Sequence, residues 1–227
     1  MSVISEHALP PAALGANDAG SRNLIRTLGG TLMNRVERSG ARRGRQAVFV
    51  DNDGTLIENV AYNVDPALVR FMPNVPAGLR MLADAGLPLF VVTNQPGLAT
   101  GQITRPDFVR IQHLIEHRLQ QEAGVVLTGW YTCPHRPEAG CLCRKPAPGL
   151  LRQAALAHGI DLGRSWIVGD VLDDMEAGRR VGCKSILVDV GNETAWRMSP
   201  LREPHHRCTD FLSAAELIVE QYERSTI

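Results

Sequence analysis

The feature that most limits the fold of this chain is an alternation of short apolar runs with segments whose apolar residues recur at helical spacing. It starts at Gln46 and continues almost to the C-terminus. The apolar runs have the length of buried strands. Strands are predicted at residues 47–51, 87–93, 130–132, 166–169 and 185–190, and helices at residues 75–85, 106–123, 148–158, 175–181 and 211–222. This order predicts an α/β domain, a Rossmann-like parallel sheet with helices on both faces.

Polar side chains stand at the ends of three of the predicted strands. Asp51 and Asp53 end the first strand, Thr93 and Asn94 end the second, and Asp170 follows the strand at residues 166–169. Ligands of parallel α/β sheets bind beyond the carboxyl ends of the strands, so we expect these side chains to gather at one edge.

The chemistry of these residue types points to a phosphate. Two neighbouring carboxylates with a third at Asp170 make a hard oxygen site suited to Mg²⁺. One carboxylate can act as a nucleophile toward phosphorus, and the other can protonate a leaving alcohol. Thr93 and Asn94 offer donors to phosphoryl oxygens, and Lys145 with Mg²⁺ can stabilise the charge on the transferring group.

A cluster of soft and borderline metal ligands lies between residues 133 and 143. Four such ligands within eleven residues fit a tetrahedral zinc site: Cys133, His135, Cys141 and Cys143. Because all four positions are filled by protein, this zinc is expected to be structural. Arg144 and Lys145 follow at once, so the zinc loop is expected to hold two cations in place.

The bulk properties exclude several other classes of protein. The 227 residues carry no formal net charge, although residues 1–45 hold seven arginines against three acids. Residues 1–45 are interpreted as a basic, flexible N-terminal extension, and residues 46–227 as the catalytic domain. No apolar run reaches membrane-spanning length, no secretory signal is evident, and cysteine usage indicates a metal site in a reducing compartment. The expected location is the cytoplasm, without a membrane or nucleic-acid partner.

Four motifs in register resemble the haloacid dehalogenase superfamily of phosphohydrolases. They are VFVDNDGTL, VVTNQPG, Lys145 and VGDVLDD, over roughly residues 46–192. The resemblance implies that Asp51 is the nucleophile and Asp53 the general acid and base. It also implies that Mg²⁺ is held by Asp51, Asp170 and the main-chain carbonyl of Asp53, and that Asp174 supports the metal or Lys145.

The zinc loop resembles two branches of this superfamily, the heptose-bisphosphate phosphatases and the histidinol-phosphate phosphatases. In both, a structural zinc orders a loop that stands in for a cap domain. The motif CRKPAPG favours the heptose branch, which implies removal of the 7-phosphate of D-glycero-D-manno-heptose 1,7-bisphosphate. The small insert and the lack of a separate cap domain suggest a monomer. The implied substrate-binding residues are Asn59, Tyr62, Thr93, Asn94, Gln95, Arg144 and Lys145, with Arg144 gripping the distal phosphate.

Three alternatives stay open at this point. The substrate of such an enzyme can be histidinol phosphate or another small phosphomonoester. A non-enzymatic alternative is a zinc-knuckle module whose arginine-rich arm binds nucleic acid. That alternative gives no reason for three carboxylates to converge, and their charge would repel a phosphate backbone.

Overall fold

The computed structural model describes residues 44–226. The predicted N-terminal extension, residues 1–45, therefore lies outside the described residues except for Gly44 and Arg45. The strands are β1 (Val48–Val50), β2 (Leu89–Asn94), β3 (Gly129–Cys133), β4 (Trp166–Gly169), β5 (Lys184–Val188) and β6 (His206–Cys208). The helices are α1 (Val75–Asp84), α2 (Gly97–Thr100), α3 (Arg105–Ala123), α4 (Gly149–His158), α5 (Leu172–Arg179) and α6 (Phe211–Thr226).

The six strands form one sheet in the order β3-β2-β1-β4-β5-β6, and every neighbouring pair is parallel. Strand order reverses direction at β1, which pairs with β2 on one side and β4 on the other. Such a switch point opens a crevice at the carboxyl ends of the strands. The parallel α/β sheet predicted from the sequence is confirmed.

Two buried clusters of apolar side chains cover the two faces of the sheet. Alternate residues of β1 point to opposite faces, so Val48 and Val50 join one cluster and Phe49 joins the other. The first cluster packs α1, α3 and α6 against the sheet, and the second packs α4 and part of α5. The sheet is thus held between two helical layers, which leaves its carboxyl edge to build a site.

Most predicted elements are present with small shifts in their ends. Helix α3 follows its sequence signals closely, because the Thr104 hydroxyl accepts from the Asp107 amide at 3.2 Å and Gly124 ends the helix at φ 63°. Helix α5 was predicted to begin at Met175 but begins at Leu172. The short elements α2 and β6 were not predicted, since neither has an apolar run of its own.

Among residues 44–226, no helix combines the length and the hydrophobicity that crossing a bilayer requires.

Candidate active site

Three carboxylates meet at the switch point of the sheet. Asp51 follows β1, Asp170 follows β4, and Asp174 projects from the first turn of α5. Each offers an oxygen, and these oxygens all lie within 4.8 Å of one another. All three residues are buried, with Asp174 completely excluded from solvent. Their mutual repulsion makes this arrangement unfavourable unless cations balance it.

Lys145 supplies one of those cations. Its Nζ lies 2.5 Å from Asp51 Oδ1 and 2.6 Å from Asp174 Oδ1, and it donates to the Val92 carbonyl at 2.8 Å. Burial by itself lowers the pKa of Lys145, but Asp174 and Asp51 outweigh it and hold that pKa above its ordinary value. The side chain therefore stays an ammonium. We call Asp51, Asp170, Asp174 and Lys145 the acid–lysine cluster.

The acid–lysine cluster fits a divalent cation. One ammonium faces three carboxylates, and Asp174 Oδ2 is buried without a hydrogen-bond partner among the described residues. Burial and the neighbouring Asp51 raise the pKa of Asp170 to about 6, so an added cation would favour its charged form. Closely spaced carboxylate oxygens are ligands that Mg²⁺ accepts. The sequence interpretation gave Asp174 a supporting role, and the structure places it inside the cluster and on Lys145.

Asp170 is held from both sides. The Thr55 hydroxyl donates to its Oδ1 at 2.8 Å, and Asn192 Nδ2 donates to its Oδ2 at 2.8 Å. Gly54 has a φ of 90°, and a Cβ there would lie 2.2 Å from Asp170 Oδ2. Only glycine fits between this backbone and the carboxylate.

Asp53 lies beside the acid–lysine cluster, not within it. Gln95 Nε2 donates to Asp53 Oδ2 at 2.6 Å and to the Thr93 hydroxyl at 3.1 Å. Burial and the nearby Asp51 raise the pKa of Asp53 to about 6. A carboxyl group that titrates in this range can both give and take a proton near neutral pH, as a general acid and base must.

Asn94 makes contacts that the sequence did not reveal. Its Nδ2 donates to the Lys145 carbonyl and its Oδ1 accepts from the Lys145 amide, each at 3.0 Å. The sequence interpretation assigned the amide to phosphoryl oxygens. In the structure the Asn94 amide holds the Lys145 backbone, and its second N–H makes neither of these two hydrogen bonds.

The four predicted zinc ligands come together at the end of β3, which carries Cys133, and in the loop that follows. The sulfur atoms of Cys133, Cys141 and Cys143 are 3.3 to 3.6 Å apart, and His135 Nδ1 lies 3.2 Å from Cys143 Sγ. Ligand atoms on one tetrahedral zinc with Zn–S bonds near 2.3 Å would be about 3.8 Å apart. The soft donors and their spacing thus fit zinc.

The zinc loop also fixes the residue before Lys145. The Arg144 amide donates to Cys141 Sγ at 3.4 Å, and the Arg144 guanidinium donates to the His135 carbonyl at 3.4 Å. The loop therefore links the metal ligands to both cations predicted to bind the substrate.

A cavity of about 270 Å³ opens beside Asp53. Six of the predicted site residues line this Asp53 cavity: Asp53, Asn59, Tyr62, Asn94, Gln95 and Arg144. Tyr62 is 45% exposed, and it packs on Gly97, where a Cβ would come within 2.8 Å of its ring. Thr93, Asp51, Lys145 and Asp170 do not line the Asp53 cavity and lie deeper.

Four residues of the site were not singled out from the sequence. Thr55, Asn192 and Glu193 support the cluster or its helix, and Glu58 lines the Asp53 cavity. A signal existed for Asn192, because it follows β5 at the same edge of the sheet as the other strand-end residues. Nothing in the sequence marks Glu58.

Comparisons with known proteins find similar chains. The HAD-hydrolase-like family model matches residues 142–214. The D-glycero-beta-D-manno-heptose-1,7-bisphosphate 7-phosphatase of Haemophilus ducreyi is 38% identical over 155 residues, which are 65% of this chain and 85% of that protein. The protein of the same name from Helicobacter pylori is 34% identical over 76% of this chain and 97% of its own length.

A solved structure shares the fold. The crystal structure of a D,D-heptose 1,7-bisphosphate phosphatase from B. bronchiseptica, complexed with magnesium and phosphate, superposes with a TM-score of 0.71. It is 30% identical, and the match covers 78% of this chain and 99% of that chain. Given this identity and coverage and the shared fold, the chain belongs to the haloacid dehalogenase superfamily, and it is a phosphoric monoester hydrolase.

Proposed function

We propose that this protein is a Mg²⁺-dependent phosphatase that removes the 7-phosphate of D-glycero-D-manno-heptose 1,7-bisphosphate. The observation that carries the proposal is the placement of Lys145 between Asp51 and Asp174, with Asp53 beside them at the wall of a cavity. The names of the similar proteins supply the substrate class. The matches cover 85% and 97% of the lengths of these two proteins.

In the first step a carboxylate oxygen of Asp51 attacks phosphorus, and the P–O bond to the sugar breaks. The product is an aspartyl-phosphate, and Asp53 donates its proton to the departing sugar oxygen. Gln95 holds the Asp53 carboxyl group in place through the 2.6 Å hydrogen bond.

In the second step water attacks phosphorus and Asp53 takes its proton. The bond to Asp51 breaks, which releases phosphate and restores the carboxylate. Throughout, the Lys145 ammonium stays on Asp51 and favours negative charge on the transferring group.

Asp51, Asp170 and the main-chain carbonyl of Asp53 would hold Mg²⁺, with Asp174 next to them. When bound, Mg²⁺ neutralises phosphoryl charge and orients the group for in-line attack. Cys133, His135, Cys141 and Cys143 would hold a structural zinc that keeps Arg144 at the cavity.

A sugar bisphosphate needs a second grip on anionic oxygens. Arg144 lines the Asp53 cavity, and a guanidinium binds phosphate with two parallel hydrogen bonds. Asn59 and Tyr62 line the same cavity and offer hydrogen-bonding groups to sugar hydroxyls. We therefore assign the distal phosphate to Arg144 and the sugar to Asn59 and Tyr62.

Histidinol phosphate is a second candidate substrate, because Glu58 also lines the Asp53 cavity. Its carboxylate forms no ion pair within residues 44–226, which leaves it available to a substrate ammonium. Arg144 on the same wall disfavours that cation.

The test is phosphate release with Mg²⁺ from heptose 1,7-bisphosphate, both anomers, with histidinol phosphate in parallel and the Asp51→Asn variant as blank. The proposal predicts fast, Asp51-dependent release from the heptose bisphosphate. Release from histidinol phosphate alone, or from neither compound, would overturn the substrate assignment.

A further inference from the structure

A loop after β5 reaches into the acid–lysine cluster. Asn192 Nδ2 donates to Asp170 Oδ2 at 2.8 Å, and the Thr55 hydroxyl donates to Asp170 Oδ1 at 2.8 Å. Each carboxylate oxygen thus has one neutral donor. Two donors on opposite oxygens fix the rotation of the carboxylate about its Cβ–Cγ bond, which a single donor would leave free.

The contact is closely packed. A Cβ on Gly54 would lie 2.2 Å from Asp170 Oδ2 and 2.5 Å from Asn192 Nδ2. There is therefore no space for a side chain at residue 54 beside either partner of the hydrogen bond. This packing leaves the Asp170 carboxylate little room to turn while the Asn192 amide is in place.

Glu193 anchors the same loop. Its Oε2 accepts from the Leu172 amide at 3.0 Å, and its Oε1 accepts from the Ala195 amide at 2.9 Å. Leu172 is the first residue of α5, the helix that carries Asp174. A carboxylate at a helix N-terminus is favourable, because it meets unsatisfied amides and the positive end of the helix dipole.

We propose that Asn192 is a positioning residue for Asp170, the carboxylate that would bind Mg²⁺, and that Glu193 keeps the loop that carries Asn192 in place. The inference rests on the proposed function only in taking Asp170 as a ligand of Mg²⁺. Partners that orient a metal ligand commonly change metal affinity by about 10-fold or more when removed. Asn192 touches neither Lys145 nor the Asp53 cavity in this structure, so its effect should fall on the metal.

The experiment compares Mg²⁺ binding in the zinc-loaded full chain and in Asn192→Ala. Affinity is read from the rise of Tm with Mg²⁺ concentration, without substrate. We expect the apparent Kd for Mg²⁺ to increase about 10-fold in Asn192→Ala. The Tm without Mg²⁺ should change little, because Asn192 is exposed at the surface.

Two further variants sharpen the result. Glu193→Ala should also raise the apparent Kd for Mg²⁺. The Kd of the double variant should not exceed the higher of the two single-variant values, because both residues act through one contact. The matched control is Asn74→Gly, which removes another amide that donates to a carboxylate, Asp210 at 3.3 Å. Asn74 has a φ of 64°, which glycine adopts without strain. The control should leave the Kd for Mg²⁺ unchanged.

An Asn192→Ala protein whose Kd for Mg²⁺ stays within about twofold of the parent would overturn the inference, as would an equal weakening in Asn74→Gly. Activity assays separate the two proposals. If the parent binds Mg²⁺ and Asn192→Ala binds it more weakly, the inference stands, even where no phosphomonoester is hydrolysed and the proposed function fails.

Discussion

The acid–lysine cluster and the Asp53 cavity lie at the same edge of the sheet, but they are built differently. Every member of the cluster is buried. Lys145 contacts Asp51, Asp174 and the Val92 carbonyl, and Asp170 accepts hydrogen bonds from Thr55 and Asn192. In the cavity, Asn59, Tyr62 and Arg144 come from loops, and Tyr62 is 45% exposed.

The difference separates chemistry from selectivity. Groups that must keep their position during phosphoryl transfer are buried: Asp51 and Asp170 follow strand ends, Asp174 lies on α5, and Lys145 is held by its contacts with the cluster. Groups that choose the substrate stand on loops, which can vary without disturbing the sheet. Substitutions in the cluster or of Asp53 should therefore reduce turnover or stability, whereas substitutions of Asn59, Tyr62 or Arg144 should change the KM.

The largest effect is expected for Asp51→Asn, which removes the nucleophile. Turnover should fall by roughly 10⁴-fold or more, as it does when a covalent nucleophile is lost. Steady-state assays at saturating substrate measure this, with the folded state checked by circular dichroism. A folded Asp51→Asn protein that keeps even a tenth of the parent's turnover would show that the chemistry lies elsewhere.

Lys145→Met tests how much the acid–lysine cluster contributes to the stability of the protein. Removing one partner of a buried ion pair leaves Asp51 and Asp174 uncompensated, so the free energy of unfolding should drop by about 3–5 kcal/mol. Mg²⁺ should restore part of it. The chain's only other lysine, the exposed Lys184, provides the control. Lys184→Met loses a surface hydrogen bond to Gln221 and a cation–π contact with Trp166, so it should cost only about 1 kcal/mol. Equal losses in both variants would mean that the cluster is not held by Lys145.

Cys143→Ser tests the link between the zinc loop and the cavity. The variant should lose its zinc, have a lower Tm, and show a higher KM for the heptose bisphosphate, because Arg144 is no longer held by the loop. Metal content, Tm and KM are the measurements. Cys208→Ser, at a half-buried cysteine outside the four-ligand cluster, should keep its zinc and its KM. Retained zinc in Cys143→Ser would contradict the predicted ligand set.

The smallest effect is expected for Arg144→Ala, which removes the proposed grip on the distal phosphate. The KM for the bisphosphate should rise roughly 10- to 100-fold, the value of one or two hydrogen bonds to a charged group, with turnover nearly unchanged. The KM for the 7-monophosphate of the same heptose should not change. Arg136→Ala, on the same loop but not among the residues that line the cavity, serves as the control. A parallel loss for both substrates would place Arg144 in the chemistry instead.

The sequence predicted the layout of the fold because its signals are local. Buried strands appear as apolar runs, and α3 has both of its caps in its own sequence. Strand β6 was missed, because His206–Cys208 is a three-residue edge strand with no apolar run. The early start of α5 was missed because the residue that satisfies the Leu172 amide is Glu193, 21 positions away.

The same limit applies to the candidate site. The residues that gather at the sheet edge could be named from strand ends and motif order. Their individual contacts could not, because they depend on partners far apart in the chain. Asn94 meets the backbone of Lys145 across 51 positions, and Thr55 meets Asp170 across 115. Glu58 lies on a loop whose path no local pattern predicts, whereas the position of Asn192 after β5 marked its edge of the sheet but not its partner Asp170.

The most direct test of the account asks whether Asp51 carries the phosphoryl group. The Asp53→Asn variant is mixed with Mg²⁺ and 4-nitrophenyl phosphate, whose leaving group departs without a general acid. Hydrolysis of the intermediate needs Asp53, so the phosphoenzyme should accumulate. After an acid quench and proteolysis, mass spectrometry should find a hydroxylamine-sensitive phosphoryl group on Asp51 alone. A phosphoryl group on another residue, or a burst of nitrophenol without any phosphoenzyme, would contradict the account.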